Sequence, residues 1–181
     1  VNYFRGSPAG YYIARRTDGT WIIGNYRIKE PALALDPTIV PPNVCEASIA
    51  HHGKAIVWTT RDEKRCLLIL TNLINHTVYQ LRAKTGDLRC PAWSPDNRKI
   101  VYYSGNAHSV SANDFSMCLL DIPEINETPL TNIEWFEKEI APPALTNIIR
   151  WARTSLPQWS PNGQWILFEA SYTKDKPSVT R

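Results

Sequence analysis

The sequence holds one Met, eight Gly and four Cys in 181 residues, and no Cys-x-x-Cys pair. Without that spacing, the common structural zinc frames and a c-type haem attachment have nothing to start from. Apolar runs are short too. The longest candidate, Cys66 to Leu70, is strand-sized, far from the roughly 20 residues that cross a bilayer as a helix. There is no Gly-x-Ser-x-Gly elbow, no phosphate loop and no dinucleotide fingerprint. The net charge of +3 is small, and no basic stripe carries interleaved aromatics, so a nucleic-acid partner is not expected. No cofactor, metal or catalytic residue is expected either.

What is present is aromatic and turn-rich. Seven Trp and eight Tyr suit sheet surfaces packed with rigid rings. Fourteen Pro favour turns over long helices. The length suits one domain, or a piece of a larger one.

Internal repetition is the strongest signal. CEASIAHHGKAIVWTT from Cys45 and CPAWSPDNRKIVYYSG from Cys90 align without a gap at a period of 45. A third copy, PQWSPNGQWILFEA, begins at Pro157, so that Trp159 matches Trp93. Ser94-Pro95-Asp96-Asn97 and Ser160-Pro161-Asn162-Gly163 are turns, with Asp96 and Asn162 expected to cap them. Strands follow at Ile100–Tyr103 and Trp165–Phe168, in runs suited to burial on both faces. Cys66–Leu70, Val78–Leu81 and Met117–Leu120 supply further strands. Four short strands per unit of about 40–45 residues is a propeller-blade pattern.

The pattern Pro-x-Trp-Ser-Pro-Asp/Asn-x-x-x-Ile resembles the repeat of TolB-like β-propellers. It is also similar to the repeat in the propeller domains of tricorn-type and prolyl-oligopeptidase-type peptidases. The likeness spans roughly 45–172 and is weakest at Cys45, where Ser48 replaces Trp and His51-His52-Gly53 replaces the usual turn. It implies an all-β fold of four-stranded antiparallel blades. It also implies a bacterial protein in the periplasm or outside the cell.

Blade bookkeeping leaves a gap. Tyr11–Arg15, the Thr17-Asp18-Gly19-Thr20 turn and Trp21–Ile23 read as the outer two strands of a blade. Pro31 to Pro42 reads as a linker, and Pro157 onward gives only inner strands. The sum is about three blades, fewer than the four to eight of a closed ring. A longer chain, a second copy making a six-bladed ring, or a larger assembly must complete it.

Candidate sites are few. Cys45 and Cys90 hold equivalent repeat positions, as do Cys66 and Cys118, so all four are expected to be unpaired, buried thiols. His51 and His52 read as a solvated turn. The whole of 1–181 reads as one partial propeller domain, with 123–155 as an insertion between consecutive repeats. That insertion is more apolar than a solvated loop needs. Trp135, Phe136, Ile140, Ile148, Ile149, Arg150 and Trp151 are the expected contacts to a protein partner. The same loop could instead pack over its own blade.

The leading function is therefore a non-enzymatic scaffold or accessory subunit. The alternative is the accessory propeller of a serine peptidase, which a longer reading frame ending in an α/β-hydrolase domain would decide. A small-ligand-binding propeller would require a polar central funnel.

Overall fold

The computed structural model describes residues 3–63, 66–81, 87–105, 115–122, 137–141 and 157–167. Three four-stranded antiparallel sheets follow one another along the chain, each hydrogen-bonded in chain order. The first joins β1 (Tyr3–Gly6), β2 (Tyr11–Arg15), β3 (Trp21–Asn25) and β4 (Leu33–Ala34). The second joins β5 (Val44–Ile49), β6 (Ala55–Arg61), β7 (Cys66–Asn72) and β8 (Thr77–Leu81). The third joins β9 (Asp87–Trp93), β10 (Lys99–Gly105), β11 (Phe115–Asp121) and β12 (Glu137–Ala141). A hairpin of β13 (Gln158–Trp159) and β14 (Ile166–Leu167) starts a fourth unit.

Alternation along the middle strands explains how the blades stack. Ile56 and Trp58 of β6 enter the core shared with the first blade, with Ile13, Trp21 and Ile49. Their neighbour Val57 enters the core shared with the third blade, with Leu68, Leu70, Ile100 and Tyr102. On β10, Val101 and Tyr103 point the other way, to Ala92, Met117 and the half-buried Trp159 and Ile166 of the fourth unit. Side chains on a strand alternate between faces, so an unbroken apolar run fills two interfaces at once.

Two sequence expectations need correction. The N-terminal stretch is a complete blade rather than an outer half, because β1 pairs with β2 in a register from Tyr3↔Arg15 to Gly6↔Tyr12. Tyr11–Arg15 and Trp21–Asn25 are thus its middle strands. The Pro-rich segment after them is more than a linker. It carries β4 and the 3-10 turn Pro37–Ile39, capped by the Asp36 carboxylate accepting from Thr38 N–H at 2.9 Å. Leu35 and Ile39 are buried between the first two blades.

The segment read as an insertion contributes β12, which pairs with β11 through Met117↔Ala141 and Cys118↔Glu139. The register shift between those pairs falls at Ile140. The equivalence of Cys45 and Cys90 is also structural: the β5–β6 register shifts at Cys45, and the β9–β10 register shifts beside Cys90.

Gly53 offers a test of how the first two blades meet. It has φ +73°, and a Cβ there would collide with the Tyr11 ring of the neighbouring blade. Both the left-handed backbone and the collision act against a side chain. Gly53→Ala should cost about 2 kcal/mol, read from the urea midpoint. A change under about 0.5 kcal/mol would show that the turn and ring yield freely.

Candidate functional site

The innermost strands of all four units end at one cavity of about 570 Å³. Arg5 and Gly6 come from β1, Ser48 and Ile49 from β5, Ala92 and Trp93 from β9, and Gln158 and Trp159 from β13. The turns that follow supply Ser7, Pro8 and His51, and Tyr26 closes one side. No Asp or Glu is among the described residues lining it. This is a funnel of mixed polarity, a feature the sequence did not reveal.

Each inner strand leaves the funnel through the same turn. The N–H of the fourth turn residue bonds the first carbonyl: Gly10 to Ser7 at 2.9 Å, Gly53 to Ala50 at 2.9 Å, Asn97 to Ser94 at 3.0 Å and Gly163 to Ser160 at 2.9 Å. That fourth residue always has positive φ, where Gly and Asn are the tolerant choices. Ser94 Oγ donates to Asp96 Oδ1 at 2.5 Å and accepts from Lys99 N–H at 2.9 Å. Ser160 Oγ repeats this with Asn162 Oδ1 at 2.6 Å and Trp165 N–H at 3.0 Å. Asp96 and Asn162 also accept from the N–H of Arg98 and Gln164, so they do cap their turns as expected. Burial pushes the Asp96 carboxyl up, but the bonds from Ser94 and Arg98 outweigh it and hold it below the usual range.

The repeat tryptophans latch blade to blade. Trp93 Nε1 donates to Ser48 O of the preceding inner strand at 3.0 Å, and Trp159 Nε1 donates to Ala92 O at 3.1 Å. Trp93 ends β9 and is buried, as expected, whereas Trp159 is only half-buried. Trp165 lies outside the strand and is 74% exposed. Phe168 lies outside the described residues.

His51 and His52 are half-buried rather than solvated. His51 lines the funnel, and burial depresses its imidazole below the usual range despite the opposing Trp93 backbone and Asp96. His52 N–H donates to Asn97 Oδ1 of the next turn at 3.2 Å, joining the two blades.

A polar cluster lies beside the bulges. Glu46 accepts from Cys90 N–H at 2.7 Å and from Thr59 Oγ1 at 3.3 Å. Asp87 accepts from Cys66 N–H and the Arg89 guanidinium. None of the four cysteines is in a disulfide, but only Cys66 and Cys118 are buried; Cys90 is half-buried and Cys45 exposed. Cys45 therefore lies outside the buried slot that repeat equivalence implied. Burial, then Asp87, pushes the Cys66 thiol up to about 12, so it is unsuited to nucleophilic work. Among the described residues, no group of three or more His, Cys, Asp or Glu is arranged to hold a metal. None of their helices is long and apolar enough to cross a membrane.

Of the expected partner contacts, Trp135, Phe136, Ile148, Ile149, Arg150 and Trp151 lie outside the described residues. The backbone of Ile140 sits in β12.

No family model and no curated protein matches the sequence. Solved structures do. A protein assigned as TolB from Agrobacterium tumefaciens aligns with a TM-score of 0.58 at 13% identity, over 93% of this chain and 53% of the other. The β-propeller domain of Cps50 (Swd1) from Myceliophteria thermophila aligns with a TM-score of 0.52 at 14% identity, over 91% and 49%. The chain spans about half the length of these structures. At such identity the likeness concerns fold, and it leaves the binding-module and peptidase-accessory readings both compatible. Three four-stranded blades and the hairpin of a fourth make this a stretch of β-propeller, similar in fold to TolB.

Proposed function

We propose that this chain is a non-enzymatic binding module, a stretch of propeller that holds a protein partner within a larger extracytoplasmic bacterial assembly. The observation that carries this is the last hairpin. Ile166 and Trp159 pack on the third blade, while Trp165 and Leu167 remain 74% and 72% exposed. Apolar surface of this kind is what a neighbouring blade or partner covers. The resemblance to TolB favours a location outside the cytoplasm. The aromatic and aliphatic residues of the 123–155 segment are the proposed partner contacts: Trp135, Phe136, Ile140, Ile148, Ile149 and Trp151, with Arg150.

The test is sedimentation of the full chain with its co-purified partner. Burying one Trp at an interface centre carries about 2 kcal/mol, so Trp135→Ala and Trp151→Ala should each weaken association about thirtyfold. The far-ultraviolet β signal should stay unchanged. A compact monomer whose partners are the same before and after both substitutions would overturn the reading.

A further inference from the structure

The first turn keeps the bond shared by all four turns but departs from the Ser94 and Ser160 turns at the funnel. Ser7 is the repeat-equivalent of Ser94 and Ser160, but Ala9 stands where Asp96 and Asn162 accept the hydroxyl proton. The turn is also tighter: Ser7 N–H bonds Tyr11 O, four residues on, whereas Ser94 N–H bonds Lys99 O, five residues on. No N–H then takes the place of those of Lys99 and Trp165. Ser7 Oγ is consequently buried without a hydrogen-bond partner, in a residue only 6% exposed. Arg5 Nη1, on the same wall of the cavity, is likewise buried and without a partner. Such groups destabilise a fold unless water or a ligand meets them.

We propose that the funnel binds a carboxylate carried on an apolar body, with Arg5 and Ser7 donating to its oxygens. This rests on the reading of the chain as a binding module and names the chemistry of its cavity. A guanidinium fork matches a carboxylate in two parallel bonds, and a hydroxyl can supply a third. The described lining residues include no carboxylate to compete, and Ile49, Trp93, Trp159 and Pro157 give the body apolar walls. The volume of about 570 Å³ suits a small acid or the end of a peptide. Among the described lining residues Arg5 is the one Lys or Arg, and a single fixed cation matches a carboxylate monoanion rather than a phosphate dianion.

Calorimetric titration of the full chain tests this with acetyl-Ala-Phe as the free acid, its C-terminal amide, 3-phenylpropionate and inorganic phosphate. The free acid should bind at least about tenfold tighter than the amide, the worth of one charge-assisted bond. Arg5→Lys keeps the charge but loses the fork and should weaken the acid about tenfold. Ser7→Ala, a small change in a turn that already lacks the side-chain bond, should weaken it severalfold. Binding by 3-phenylpropionate points to a small acid, and binding by the peptide acid alone points to a chain terminus. Equal binding of acid and amide, no binding by either, or preference for phosphate overturns the proposal. Loss of acid binding in Arg5→Lys with partner association intact keeps the two proposals separately testable.

Discussion

Trp58→Ala is expected to lower the unfolding free energy by about 4 kcal/mol, in the upper range for a buried aromatic cut to Ala. The side chain is 0% exposed in the core between the first two blades. Its ring meets Trp21 edge-on, with centroids 5.2 Å apart and planes at 81°. Its Nε1 donates to Thr71 Oγ1 at 2.8 Å, and Thr71 Oγ1 in turn donates to Ile39 O at 3.0 Å. One residue thus ties β6, β7, the first blade and the capped 3-10 turn together. Truncation opens a void that fixed strands on both sides cannot close. Trp58→Phe should lose roughly half as much, since it keeps an aromatic face against Trp21. Trp165→Ala, at a 74% exposed site, should change the free energy by less than about 0.5 kcal/mol. Urea denaturation of the three variants gives the comparison, and a Trp58→Ala value within about 1 kcal/mol of the parent would sink it.

The order of effects follows what was readable in the sequence. Ile100–Tyr103 announced a strand buried on both faces, and alternate residues do fill separate cores. Ser94-Pro95 and Ser160-Pro161 announced their turns because the capping residues stand beside them. Ser7-Pro8-Ala9-Gly10 folds into the same turn, yet Gly6 replaces the tryptophan and Ala9 replaces the acceptor. The dipeptide Ser7-Pro8 was the remaining clue, and with it the first blade gains its inner strand. β12 was hidden for a different reason. Glu137-Lys138-Glu139-Ile140-Ala141 is mostly charged, as an outermost strand with one free edge can be, so it carries no apolar pattern. The funnel was illegible because strand ends from four repeats build it. Only packing brings Arg5 near Trp93 and Trp159. His51 shows the same limit: a turn-forming sequence reads as solvated until the next blade is laid against it.

Asp87 gives the second large effect, and one that depends on pH. The residue is 3% exposed at the start of β9. Its carboxylate accepts from Cys66 N–H on β7 and from Arg89 Nε at 3.1 Å and Nη2. Burial alone raises the carboxyl, but the bonds from Arg89 and Cys66 outweigh it and hold the group below its ordinary 3.8. The native state therefore binds fewer protons than the unfolded chain. Its contribution is fully present above the ordinary carboxyl range and is lost as pH falls through the lowered value. Asp87→Asn should destabilise the protein by about 2 kcal/mol at pH 7, because it removes the charge from a buried carboxylate, whose Arg89 partner is 36% exposed and so partly screened, and weakens the bond to the Cys66 amide. Asp96, Asp18 and Asp36 are also held low, so the parent carries an acid slope from several groups. The difference between parent and variant isolates Asp87. Urea melts at successive pH values below 7 should show that difference constant at first, then narrowing once the parent's carboxylate takes up its proton. A gap that persists unchanged into acid would assign the loss to altered packing instead of charge, and the Asp87–Arg89 pair would no longer account for it.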